Sequence, residues 1–247
     1  MNARVTLAVA VRVLTQLRRD HRTLAMLLVL PCLLLSLLWW MYAADPRAAG
    51  RFDALAPPLL AVIPFIVMFL VSSVTMLRER TSGTLERLLA MPTGKGDLLA
   101  GYALALGGVA VVQALLAVGL CLGPLGLEVA GAGWLLAVVA VADAVLGTAL
   151  GLSVSAFART EFQAVQFMPA LVIPQLLVCG LLLPRRALPD VLERISDLLP
   201  LSYAVDAMTA VATDPAAAGV GRDLLVVVGF AAGLLVLGAL TLRRRTP

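Results

Sequence analysis

Six apolar runs, each about as long as a bilayer is thick, leave this chain few ways to fold. They lie near residues 24–44, 55–77, 98–122, 132–158, 164–183 and 224–242. At 1.5 Å per residue, about 20 residues cross the roughly 30 Å of hydrocarbon. Inside that layer every backbone N–H and C=O must be satisfied within the protein, so such runs form helices. Composition agrees: 61% of the residues are hydrophobic and 14% charged, against about 25% charged in soluble domains. The expected fold is an all-α integral membrane protein with six transmembrane helices, forming one transmembrane domain over 1–247 with spans 1–5 in 24–183. The first run is too long for the apolar core of a cleaved leader, and no clean A-x-A site follows it. Residues 187–211 are also rather apolar, but Asp190, Glu193, Arg194, Asp197 and Asp206 argue against a seventh crossing. Cys32, Cys121 and Cys179 sit singly inside apolar runs, which argues against a disulfide framework or a cysteine metal site.

Basic residues set the expected orientation. One side of a six-span chain receives Arg4, Arg12, Arg18, Arg19, Arg22, Arg78, Arg80, Arg87, Lys95, Arg159, Arg243, Arg244 and Arg245; the other receives Arg47, Arg51, Arg185, Arg186, Arg194 and Arg222. The richer side is the cytoplasmic one, so both termini are expected inside. Trp39, Trp40 and Trp134 then fall at outer span ends, where indole rings favour the headgroup region. Over residues 4–19, a helical projection gathers Arg4, Arg12, Thr15 and Arg19 on one side and Val9, Ala10, Val13, Leu14 and Leu17 on the other. This predicts an amphipathic interfacial helix over 1–22. His21 is the chain's one histidine and has no second ligand near it, so neither a histidine metal site nor a triad is expected.

Between spans 2 and 3 the chain reads RERTSGTLERLLAMPTGKGDLLAG, residues 78–101. Thr84 is placed to cap a short helix, with Glu86 in its first turn and Leu85, Leu88 and Leu89 on one face. Pro92, Thr93 and Gly94 end it. A plain connection needs no such helix; a surface that fits another protein's groove does. Gly94-Lys95 is no phosphate loop, because Leu89 stands where the leading glycine belongs and Gly96 where a Ser or Thr belongs.

This stretch resembles the cytoplasmic loop of type-2 ABC transporter permeases, the group that includes daunorubicin-resistance exporter permeases. The resemblance rests on Glu79, then Gly83-Thr84-Leu85-Glu86, then Leu89 and Pro92. A second stretch, LPDVLERISDLLPLSYAVDAM at 188–208, is similar to the segment before the last span in that family. The resemblance implies an exporter permease, not itself an enzyme. It would pair with a second permease chain, a homodimer or a close paralogue, in a bacterial-type plasma membrane. ATP and Mg would be bound by a separate ABC ATPase subunit; no cofactor is expected in this chain and no nucleic acid as partner. Glu79, Gly83, Thr84, Leu85, Glu86, Arg87, Leu88, Leu89 and Pro92 would form the ATPase-coupling element. Residues 184–223 would form extracellular helices re-entering the outer leaflet before span 6 at 224–242.

Polar groups within the spans are candidates for the transport path. Asp143 in span 4 and Gln113 in span 3 are expected on neighbouring helices at similar depth, either joined by a hydrogen bond or facing the path. Gln166, Gln175 and the prolines Pro64, Pro169 and Pro174 are weaker signals. Gly147-x-x-x-Gly151 and Gly229-x-x-x-Gly233 would each allow close helix approach. Two other function classes compete. An ion-coupled secondary transporter would use Asp143, yet a second buried acid is missing. An intramembrane hydrolase would use Ser153 or Ser155, yet no histidine lies at membrane depth. The short loop 123–131 favours a small hydrophobic or amphiphilic cargo, drug-like or lipid.

Overall fold

The computed structural model describes residues 2–44, 50–82, 94–158 and 160–241. Among these the secondary structure is helical: α1 Ala3–Arg19, α2 His21–Ala43, α3 Arg51–Thr81, α4 Lys95–Leu122, α5 Gly133–Val154, α6 Glu161–Val178, a 3-10 turn Arg185–Ala187, α7 Asp190–Asp197, α8 Pro200–Thr213 and α9 Val220–Thr241. Six of them, α2 to α6 and α9, are long and apolar enough to cross a membrane. Residues 83–93, which hold the expected loop helix, lie outside the described residues.

Local chemistry fixes several boundaries. The Asn2 side chain accepts from the Arg4 N–H and starts α1. Asp20 stops that helix and caps the next, accepting from the Thr23 N–H at 3.1 Å and the Thr23 hydroxyl at 2.7 Å. Two spans are shorter than their apolar runs. The fourth run reaches residue 158, but α5 stops at Val154 and the chain turns at Ser155, whose hydroxyl folds back onto the Leu152 carbonyl at 2.6 Å. The fifth run reaches residue 183, but α6 ends at Val178, two residues before Gly180 turns left-handed at φ 98°. At its other end α6 begins early, at Glu161, because the Thr160 hydroxyl accepts from the Gln163 N–H. The last span likewise starts at Val220 rather than 224.

The spans form an inner group and an outer one. Of their most apolar stretch, α3 and α5 bury 61% and α4 56%, against 17% in α2 and α9 and 22% in α6. The tightest contact joins α3 to α5, at the first of the two glycine pairs. A Cβ on Gly147 would stand 2.5 Å from the Phe65 carbonyl oxygen, and one on Gly151 would stand 2.1 Å from Ser72 Oγ. Gly229 and Gly233 meet nothing within 4 Å, so the second pair serves no contact among the described residues. Helix α1 lays Val9, Ala10, Val13 and Leu17 inward, packed chiefly on α4, while Leu7, Val11 and Leu14 stay exposed.

Contacts at the two ends fix an up-and-down arrangement. At one end the Glu128 N–H donates to Asp53 at the start of α3, and the Ala130 and Gly131 N–H groups bond the Ala212 and Val211 carbonyls at the end of α8. Trp40 and Trp134 are exposed near this end. At the other end meet α1, the end of α3, the start of α4, the end of α5 and the start of α6. Between α6 and α9, the expected short helices are present as α7 and α8. Helix α8 packs against α3, α9 and α5 and buries Leu201, Val205, Met208 and Val211.

Candidate functional site

The end of α3 delivers three consecutive charges to three neighbours. Arg78 forks onto Glu161, the first residue of α6, with Nε and Nη2 at 2.9 and 3.2 Å from its two oxygens. Glu79 accepts from Arg12 Nη2 of α1 on both oxygens, at 3.2 and 3.1 Å. Arg80 donates to the Ser155 carbonyl at the end of α5. The Glu79 side chain is 11% exposed, so it turns into the protein beside α1. Of the residues expected to couple to an ATPase, Glu79 is the described one; Gly83, Thr84, Leu85, Glu86, Arg87, Leu88, Leu89 and Pro92 lie outside the described residues.

The far stem of the same loop is also tied to α1. Asp97, in the first turn of α4, accepts from the Asn2 N–H at 2.8 Å, and its second oxygen accepts from the Gly94 N–H at 3.3 Å. Helix α1 therefore touches both stems, through Arg12 on one and Asn2 on the other.

The two polar residues read as neighbours in depth do not bond each other. Helices α4 and α5 do pack together, and Gln113 and Asp143 are both fully buried. Gln113 instead donates through Nε2 to the Leu27 carbonyl of α2 at 2.8 Å. The reason lies four residues on from Leu27. Pro31 has no N–H, so the Leu27 carbonyl has lost its helical partner, and the Gln113 amide replaces it. Beyond this point α2 and α4 flank an apolar groove of about 920 Å3, lined by Cys32, Leu33, Trp40, Leu115 and Leu120 among others. Both Asp143 oxygens are buried with no hydrogen-bond partner among the described residues. Gln175 donates to the Leu171 carbonyl of its own helix at 3.0 Å. Gln166 lines a second cleft of about 340 Å3, with Phe157, Gln163, Phe167 and Ala170.

One cluster escaped the sequence. Arg185 reaches both Asp197 of α7 and Asp206 of α8, and its guanidinium lies 5.2 Å from the Tyr203 ring centroid. The Tyr203 hydroxyl closes the group on the Asp197 carbonyl at 2.8 Å. Burial pushes the Asp206 carboxyl up, against the downward pull of Arg185. A hint was present in the arginine pair at the end of an apolar run, followed by acids at 197 and 206, but nothing in the spacing says which of them meet.

Residues 4–212 match the family model described as ABC-2 type transporter. The chain belongs to the ABC-2 type transporter family. With six apolar helices it is a multi-pass membrane protein and a type-2 ABC permease. Two curated ABC transporters are similar to this ABC-2 permease. One is ABC transporter G family member 20 of Dictyostelium discoideum, 28% identical over 156 residues, which is 63% of this chain and 21% of that protein. The other is the probable multidrug ABC transporter permease YbhR of Escherichia coli, 28% identical over 153 residues, 61% of this chain and 41% of that protein. The similarity thus spans less than half the length of either relative.

Proposed function

We propose that this ABC-2 permease is the transmembrane subunit of an ABC exporter. Two such chains pair, and the stretch 83–92 of each docks into a separate ABC ATPase that binds ATP and Mg. Gly83, Thr84, Leu85, Glu86, Arg87, Leu88, Leu89 and Pro92 form that docking element, by their spacing and by the family resemblance. Both termini and this loop face the cytoplasm, and the tryptophan end faces outward, as the basic-residue bias supports. The membrane is a bacterial-type plasma membrane. Helices α7 and α8 dip into its outer leaflet. The cargo is a hydrophobic or amphiphilic small molecule, in keeping with the multidrug label on the Escherichia coli relative and with the apolar groove between α2 and α4.

The observation that carries this reading is the family match over residues 4–212, joined to the convergence of α1, α3, α4, α5 and α6 on the two stems of one loop. The test is capture of the ATPase by the tagged permease from co-expressing cells. Leu88→Asp should weaken capture roughly ten- to several-hundred-fold. Loss of a buried leucine contact costs about 1.5–3 kcal/mol, and desolvating a carboxylate adds to it. Glu86→Gln should change capture less than about five-fold, since an exposed helix-end charge contributes below about 1 kcal/mol. Full capture by Leu88→Asp would remove the docking role from this loop.

A further inference from the structure

We infer that α1 and the Arg78-Glu79-Arg80 triplet form a clasp that carries displacement of the loop stems into α1 and into the turn between α5 and α6, with Glu79 acting inside the permease rather than on the ATPase surface. This rests on the reading that the loop docks an ATPase. Successive residues on a helix point about 100° apart, so three in a row serve three neighbours. Arg80 meets the carbonyl at the end of α5 and Arg78 meets the acid that opens α6. Arg80 has the sign that the end of α5 favours, and Glu161 the sign that the start of α6 favours. The two arginines therefore hold the end of α5 and the start of α6.

Glu79 and Asp97 bind the same helix from opposite stems. Arg12 holds the first and the Asn2 N–H holds the second. The ten-residue separation from Asn2 to Arg12 makes a rigid spacer, about 15 Å long at 1.5 Å per residue. The stems cannot separate or twist without pulling α1, and α1 is itself seated on α4 through Val9 and Val13. The links differ in strength. Arg12–Glu79 is 30% and 11% exposed, whereas Arg78–Glu161 is 60% and 51% exposed and well screened. Glu79 is thus the positioning residue whose loss should be felt most.

The test uses the permease with its ABC ATPase in nanodiscs. Spin labels go on cysteines at Ala8 of α1 and Phe162 of α6, both exposed, in a background with Cys32, Cys121 and Cys179 replaced. The α1–α6 distance is measured with and without MgATP and vanadate. The otherwise unmodified complex should show a nucleotide-driven shift. Glu79→Arg should retain the ATPase within about two-fold and abolish the shift, and Arg12→Glu combined with Glu79→Arg should restore at least half of it. Arg78→Ala should leave the shift largely in place. If Glu79→Arg does not fold, Glu79→Gln takes its place and should lose at least half of the shift.

Several results overturn the clasp: a full shift in the Glu79 variants, a double swap that restores nothing, or no shift in the otherwise unmodified complex. Loss of ATPase capture beyond ten-fold in a folded Glu79 variant places that residue on the docking surface and also overturns it. Leu88→Asp separates the two ideas. Full capture by that variant removes the docking reading, whereas the clasp stands or falls on the distance response of the Glu79 variants.

Discussion

Replacing Gln113 by leucine takes away the amide that donates to the Leu27 carbonyl, and Pro31 ensures that the backbone of α2 cannot supply another donor. The size of the effect follows from opposing terms. A buried carbonyl left without a donor costs about 1–3 kcal/mol. Measured side-chain hydrogen bonds between membrane helices average nearer 0.6 and reach about 1.7 kcal/mol. Leucine also removes Gln113 Oε1, which is buried with no partner among the described residues, and that offsets part of the loss. The expected net cost is about 1 kcal/mol. The decisive comparison is made in a Pro31→Ala background, where residue 31 again has an N–H for the Leu27 carbonyl. There Gln113→Leu should cost less than about 0.5 kcal/mol. The cycle is read by SDS titration of the permease in mixed micelles, followed by circular dichroism. An equal loss in both backgrounds would refute the claim that Gln113 completes a helix broken at proline.

Gly151→Leu should fail to reach the native fold or lose more than about 3 kcal/mol, since even a Cβ there meets the Phe69 carbonyl at 2.4 Å; Gly233→Ala, facing open space, should be neutral or gain up to about 1 kcal/mol in the same titration. Asp143→Asn keeps the shape and removes the ionisable group from a site with no hydrogen-bond partner among the described residues, so stability should stay level or rise; a loss above 1 kcal/mol would point to a partner for the carboxyl. Cysteines at Thr93 and Ala216 should react with an impermeant maleimide from opposite faces of sealed vesicles, and same-side labelling would break the six-span topology.

Spans were the most legible part of this chain, because an 18-residue apolar stretch has one structural solution in lipid. Their ends were less so. Ala156, Phe157 and Ala158 are as apolar as the helix before them, yet a serine turn and a distant arginine end α5 first. Two glycine pairs with identical spacing had different fates, since only the pair at 147 and 151 faces another helix at contact distance. Periodicity cannot tell which face a neighbour will approach. Gln113 was legible as a buried polar group beside the helix of Asp143, but its hydrogen-bond partner was not. Its partner is a backbone carbonyl, exposed by a proline 82 positions away in sequence. Glu79 was picked out by resemblance as part of the coupling element, and its turn toward Arg12 depends on where α1 packs. Arg185 and its two acids could not have been paired without the fold of 179–206.

The contact between Gln113 and Leu27 joins residues 86 apart. During synthesis at about 5–20 residues per second, that separation is roughly 4 to 17 s. For that interval α2 stands in the membrane with one carbonyl unanswered, while the chain that will answer it is still being made. Helix α2 is therefore completed by a helix made two spans later, and its missing bond is supplied only when α4 arrives beside it.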